Sequence, residues 1–271
     1  MNVDFVIVGN PKCGSSTLYE ILNSQQEIQM SSVKEPGLFH QSDLNVFRSL
    51  LNKNFDNTLT LKGEASVGYS IYYDALERIK KHNPEAKIIL LCRDPVQRVV
   101  SHYWHRVKMD EIHVTLSDLI EKNPNHEIFQ FSKYASQIKN LNTIFKKNQI
   151  LIVKTEMLND QNSVSEIFRF LDCSIIDKSY IIKRYNTSKI YRSKYINKLI
   201  NYIRINYNFH RYLPNFIYFP LRKIWNYFKQ INLKPFEYPQ ADQASLEKLS
   251  ELLEEDIKYY NNNILPLSSK I

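Results

Sequence analysis

The sequence predicts a single α/β domain in which a central parallel sheet is flanked by helices. Short runs rich in β-branched and other apolar residues occur at Val3 to Gly9, Lys87 to Cys92 and Ile150 to Val153. Their near-continuous hydrophobicity is that of strands buried on both faces. Stretches with apolar residues at helical spacing lie between them, and this helix-then-strand rhythm implies parallel neighbours. The chain has 271 residues, 43% apolar and 24% charged, enough to bury one full-sized core, with neither a disorder-prone composition nor a fibrous repeat.

The first strand stops at Gly9-Asn10-Pro11, a turn signal, and apolar residues at helical spacing resume from Thr17 to Leu22. The segment between is a strand-to-helix loop carrying Gly14 and the hydroxyls of Ser15, Ser16 and Thr17. The second strand ends at Arg93-Asp94-Pro95, where Pro95 suits the first turn of a helix. The pattern predicts helices at Val46 to Leu51, Asp74 to Lys81, Val96 to Met109, Val164 to Leu171 and Leu246 to Tyr260, and an amphipathic stretch from Tyr134 to Lys147. One compositional shift stands out. Tyr185 to Phe236 is dense in Tyr, Phe, Asn, Lys and Arg, consistent with a helical cap or lid within the domain or with amphipathic helices covering the core.

No apolar run reaches the roughly 18 residues that span a bilayer, and Met1 leads directly into a strand-like run without a charged leader, so a cytoplasmic location is expected. Cys13, Cys92 and Cys173 are too few and too scattered for a disulfide framework or a paired-cysteine metal site. The net charge of +8 attracts anions without choosing among nucleotide, nucleic acid, membrane surface and acidic glycan.

Phosphate oxygens need several donors converging on a small volume. A glycine-containing loop entering a helix N-terminus supplies backbone N–H groups and a favourable dipole. Lys12 adds a full charge, and Ser15, Ser16 and Thr17 add hydroxyl donors. The ATP-binding pattern G-x-x-x-x-G-K-[ST] aligns its glycines with Gly9 and Gly14 but requires a lysine where Ser15 stands. Here the lysine precedes the second glycine by two residues. Arg93 closes a central strand, where open α/β sheets bind ligands, and Ser101 follows about two helical turns later. A guanidinium and a hydroxyl together suit a phosphate group.

The run Pro11-Lys12-Cys13-Gly14-Ser15-Ser16-Thr17 resembles the 5′-phosphosulfate loop of the sulfotransferases that use PAPS (3′-phosphoadenosine-5′-phosphosulfate). Arg93 to Tyr103 matches that family's R-x-P-x-x-R-x-x-S-x-Y signature at every defined position. Lys34-Glu35-Pro36-Gly37-Leu38-Phe39 is similar to the K-E-P-x-x-F segment of the bacterial and glycan-modifying members. Lys62 to Tyr69 is similar to G-E-K-T-P-x-Y, and Lys154 to Leu158 with Phe170-Leu171 to later family stretches. Ala65 replaces a lysine, Val67 a proline, Gly37 a histidine of some glycan enzymes, and Asp172 a glycine.

The resemblance implies a P-loop NTPase-like α/β fold, PAPS as cosubstrate with PAP as desulfated product, and no required metal. It assigns the nucleotide to Lys12, Cys13, Gly14, Ser15, Ser16 and Thr17, with the 3′-phosphate on Arg93 and Ser101. Asn186-Thr187-Ser188 with Arg192 and Ser193 sits where the family places a late loop over the nucleotide. Lys12 is the expected stabiliser of charge on the leaving phosphate. Glu35 is the expected base and Glu64 its reserve, since burial raises a carboxyl toward neutrality. Lys34, Glu64, His40 and His105 are candidates on the acceptor side. His40, His102 and His105 are further bases by chemistry alone. Cys13 is either a small residue beside the nucleotide or an oxidation-sensitive thiol. The expected acceptor is a glycan or small molecule rather than nucleic acid. A P-loop kinase and a basic nucleic-acid-binding module remain as alternatives.

Overall fold

The structure, a computed structural model, describes residues 1–56, 60–174, 189–191, 233–235 and 239–265. In chain order it contains β1 Phe5–Gly9, α1 Ser15–Asn23, β2 Ile28–Met30, α2 Leu44–Asn54, β3 Leu61–Ala65, α3 Tyr73–His82, β4 Lys87–Cys92 and α4 Pro95–Lys108. There follow α5 Leu116–Lys122, α6 Glu127–Gln130, α7 Tyr134–Ile144, β5 Ile150–Lys154 and α8 Gln161–Phe170, and near the C-terminus helices Gln243–Leu252 and Glu254–Tyr259.

Five strands form one sheet in the order β2-β3-β1-β4-β5, with every neighbouring pair parallel. Alternation along each strand divides the core between two faces. Val6, Val8, Ile88 and Leu90 pack with residues of α2, α3 and α7, while Phe5, Ile7, Ile89 and Leu91 pack with α1 and α8. A third cluster joins Val99 and Tyr103 of α4 to α5, α6 and the helix at Gln243–Leu252.

The parallel sheet, the three apolar strands and the helices between them agree with the sequence pattern. Two strands do not follow from it. β3 reads Leu61-Lys62-Gly63-Glu64-Ala65, which is not an apolar run, and β2 is only three residues long. β3 forms because β1 and β2 pair with it on either side. Gly63 also leaves room for the ring of Phe5, whose Cζ would lie 2.1 Å from any Cβ at that position. The predicted helix from Leu246 to Tyr260 is broken at Leu253, which leaves helical geometry (φ −111, ψ 16) with its side chain fully buried in the α4 cluster. α4 begins where Pro95 predicted, with the Asp94 carboxylate accepting from Gln97 N–H at 2.8 Å.

The contacts divide the chain into two units, one of Met1–Tyr185 with Gln240–Ile271 and one of Asn186–Pro239. In the second, β6 Lys189–Tyr191 pairs antiparallel with β7 Leu233–Pro235. The rest of the aromatic stretch from Tyr185 to Phe236, the proposed cap, lies outside the described residues.

Gly63→Ala forces a methyl into the Phe5 ring, and overpacking of this kind costs about 1–3 kcal/mol. Urea unfolding should show that loss, and Phe5→Leu in the same chain should recover part of it because the two sites are in contact.

Candidate functional site

In a parallel sheet every strand delivers its C-terminal residue to the same edge, where ligands of open α/β sheets bind. β1 leads there into the loop at 10–14, β2 toward Lys34 and Glu35, β3 into Ser66, β4 into Arg93 and β5 into Thr155. Residues far apart in the chain therefore meet along one edge.

The loop after β1 is anchored from beneath by Asn10. Its amide donates to Leu91 O at 3.2 Å and Gln137 Oε1 at 3.0 Å, and its Oδ1 accepts from Ser70 Oγ at 2.9 Å. Lys12 holds a left-handed backbone (φ 69), as does Gly14 (φ 88). A Cβ on Gly14 would lie 2.8 Å from Leu158 Cδ1, so this position takes glycine for both space and conformation. Gly14 caps α1 with no side-chain hydrogen bond, and no acidic residue stands in the first turn. The N-terminal N–H groups and the positive end of the helix dipole are thereby kept for an anion.

Cys13 is turned inward. Its side chain is fully buried among residues of α1 and α8, its N–H bonds Asn10 O at 3.3 Å, and burial pushes its thiol up to about 11 against the pull of Arg98. A thiol held neutral in this way supports the loop from below, and the oxidation-sensitive reading is set aside.

α4 forms the facing wall. Arg93 N–H donates to Tyr134 Oη at 3.2 Å, Tyr134 Oη donates to Arg93 O at 2.8 Å, and the guanidinium donates to Gln97 Oε1 at 3.1 Å. Ser101 lies along the same helix, half-buried. Between them Arg98 is completely buried. It donates to Ser132 Oγ at 2.5 Å and to Ile128 O, and its Nη1 lies 3.2 Å from His102 Nδ1. These partners are all neutral. Arg98 is the second arginine of R-x-P-x-x-R, and its buried position is set by packing that the motif alone does not encode.

The α4 histidines feel this positive field. Burial, then Arg98 and Arg106, push His102 down to about 2, and its Nε2 accepts from Arg106 Nε at 3.3 Å. Burial, then Lys12 and Lys108, push His105 down to about 4. Both rings are neutral near pH 7. Because β1 and β4 are parallel neighbours, the loop after β1 and the start of α4 lie side by side at the same sheet edge.

On the β2 and β3 side, Glu35 is exposed, with a left-handed backbone (φ 61) and its carboxylate 2.5 Å from Lys34 Nζ. Glu64 is fully buried. Its Oε1 accepts from Ser66 Oγ and from Tyr69 Oη at 3.0 Å, and its Oε2 has no partner. Burial raises it to about 7, outweighing the hydroxyls of Ser66 and Tyr69 and the Ser66 backbone N–H that pull it down. Of the two carboxyls, Glu35 is the one that reaches solvent. His40 packs against Tyr69 with the rings tilted and their centroids 4.7 Å apart and meets Tyr72 edge-on at 5.3 Å, and partial burial followed by Arg78 lowers its pKa. Arg192 and Ser193, the expected late-loop ligands, lie outside the described residues.

A family model described as Sulfotransferase domain matches residues 2–208. The chain belongs to the sulfotransferase family. This sulfotransferase is 22% identical to carbohydrate sulfotransferase 15 of Rattus norvegicus, over 62% of this chain and 43% of the relative. It is 26% identical to heparan sulfate glucosamine 3-O-sulfotransferase 3B1 of Homo sapiens, over 56% of this chain and 41% of that one. The chain thus spans less than half the length of these curated relatives. A solved sulfotransferase from Alicyclobacillus acidocaldarius superposes with a TM-score of 0.56 at 25% identity, covering 64% of this chain and 82% of its own. Among the described residues no helix is long and apolar enough to cross a membrane, and no group of three or more His, Cys, Asp and Glu side chains is placed to hold a metal ion.

The buried carboxyl of Glu64 gives a pH signature. Folding raises its pKa from 4.5 to about 7, so the folded chain binds this proton more tightly than the unfolded chain. Its contribution to stability is complete below pH 4.5 and is lost as pH rises through about 7. Urea titrations at pH 5 and pH 8 should show a smaller difference for Glu64→Gln than for the parent.

Proposed function

We propose that this sulfotransferase moves a sulfuryl group from PAPS to a hydroxyl or amine of a glycan or small-molecule natural product. The observation that carries the reading is the pairing of two cationic surfaces. The Lys12 loop on an uncapped helix N-terminus and the start of α4, with Arg93 just before it and Ser101 along it, both follow the C-terminal ends of the neighbouring parallel strands β1 and β4. An adenosine nucleotide phosphorylated at both 5′ and 3′ positions needs two separate anion sites. The loop with Ser15, Ser16 and Thr17 suits the 5′-phosphosulfate, and Arg93 with Ser101 suits the 3′-phosphate.

In the transfer, the acceptor oxygen or nitrogen bonds to sulfur as the bond from sulfur to the bridging phosphate oxygen breaks. Glu35 takes the acceptor proton, and PAP leaves with the bond electrons. Lys12 and the α1 N–H groups stabilise the charge on the leaving oxygen. Lys34 holds Glu35 or an anionic part of the acceptor. Lys12 and Glu35, the two residues assigned chemistry, are also two of the four non-glycine residues with positive φ among those described. Such backbone costs about 1–3 kcal/mol and persists where surrounding structure enforces it, as functional sites do. Relatives named for carbohydrate and glucosamine sulfation support a sugar acceptor.

PAP without added metal should raise the unfolding temperature far more than ATP does; stabilisation that requires Mg²⁺ and ATP would favour the kinase alternative. Arg93→Ala should weaken PAP binding by at least ~1 kcal/mol, and unchanged affinity would remove the 3′-phosphate assignment. Lys12→Ala should lower kcat by about 10²–10³ with folding intact. Glu35→Gln should keep PAP affinity while turnover, followed as acceptor mass gain with PAPS, is lost.

A further inference from the structure

The loop that carries Glu35 is pinned at alternate residues. Glu35 N–H donates to Ala65 O at 3.0 Å, Gly37 N–H to Ser66 Oγ at 3.0 Å, and Phe39 N–H to Tyr69 Oη at 3.0 Å. Two of these three anchors are hydroxyls, and a hydroxyl has one proton to give. Ser66 and Tyr69 both give theirs to the same atom, Oε1 of Glu64. Their lone pairs are then left facing the loop N–H groups. Without an acceptor at that point each hydroxyl is free to turn its proton elsewhere and release the loop. The need for anchoring is plain, because Glu35 (φ 61) and Gly37 (φ 67) both hold left-handed backbone.

We propose that Glu64 is a positioning residue for Glu35: it orients the hydroxyls of Ser66 and Tyr69 so that they hold residues 35–39 in the one conformation that presents the Glu35 carboxylate to the acceptor. The proposal rests on the reading of Glu35 as the base. It gives the buried glutamate a task that needs no contact with substrate. It also explains why a carboxyl with no exposed surface stands at the end of β3, facing the site edge.

The test compares kcat with PAP affinity in four variants. Ser66→Ala and Tyr69→Phe each remove one anchor and should lower kcat about ten-fold, the scale of one hydrogen bond, with PAP affinity within about two-fold of the parent. Glu64→Met removes the shared acceptor and should lower kcat further. Glu64→Gln keeps an acceptor oxygen for both hydroxyls and should restore kcat to within about three-fold of the parent. Unchanged kcat in Ser66→Ala and Tyr69→Phe overturns the proposal, as does PAP affinity that falls in step with kcat. A Glu64→Gln enzyme as poor as Glu64→Met overturns it too. Should Glu64→Met not fold, Ser66→Ala and Tyr69→Phe decide the matter. Glu35→Gln, assayed alongside, separates the two claims. Full turnover in Glu35→Gln overturns the base reading and the positioning role with it. An inactive Glu35→Gln beside unimpaired Ser66→Ala and Tyr69→Phe overturns the positioning role alone.

Discussion

Everything chemically distinctive in this chain depends on β1 lying between β3 and β4 with all three parallel. That register sends Asn10 to Gly14, Glu64 to Ser66 and Arg93 to one edge, although they are separated by tens of residues in sequence. It also buries the central strands on both faces, so the edge is held by a core of aliphatic contacts from α1 and α8 on one side and α3 and α7 on the other. Gly63 allows the close approach of β3 to the Phe5 ring.

Electrostatics at the edge is arranged before any ligand binds. Arg98 is buried with a hydroxyl and a carbonyl as hydrogen-bond acceptors and the His102 ring beside it, so its charge is met by dipoles without an anion to neutralise it. Arg106 is different, since Glu111 and Glu127 pair with it. The neutrality of His102 and His105 follows from the same field and keeps two groups that would otherwise titrate near pH 7 in one state. In the proposed transfer, charges fixed in this way stabilise developing negative charge without reorganising.

The loop that carries Glu35 relies on hydrogen-bond direction. Glu35 reaches solvent and its ion pair with Lys34 is half-exposed, so the pair adds little to stability, and its geometry has to come from the backbone beneath it. Backbone anchors on Ala65, Ser66 and Tyr69 supply that geometry. The departures from the family pattern at Ala65 and Val67 fall in this same segment, where Ala65 contributes a carbonyl and not a side-chain charge.

What was legible in the sequence was whatever local pattern or fixed spacing encodes. The apolar runs of β1, β4 and β5 read directly as strands of a parallel sheet, Pro95 marked the start of α4, and the loop after β1 and the arginine-serine motif carried the resemblance to the sulfotransferase family. β3 was hidden because Leu61-Lys62-Gly63-Glu64-Ala65 has no strand-like apolar run; it is a strand because two neighbours pair with it and Gly63 leaves space for a ring from β1. The break at Leu253, the inward turn of Cys13, the neutral surroundings of Arg98 and the convergence of Ser66 and Tyr69 on Glu64 were equally invisible. Each depends on which side chains from distant segments share a volume. By itself the sequence determined which residue types stand at which spacing, and so the fold class and the family. Only the tertiary structure decided which charges are buried, which protons are held and which carboxyl reaches solvent, because desolvation and hydrogen-bond partners are properties of packing.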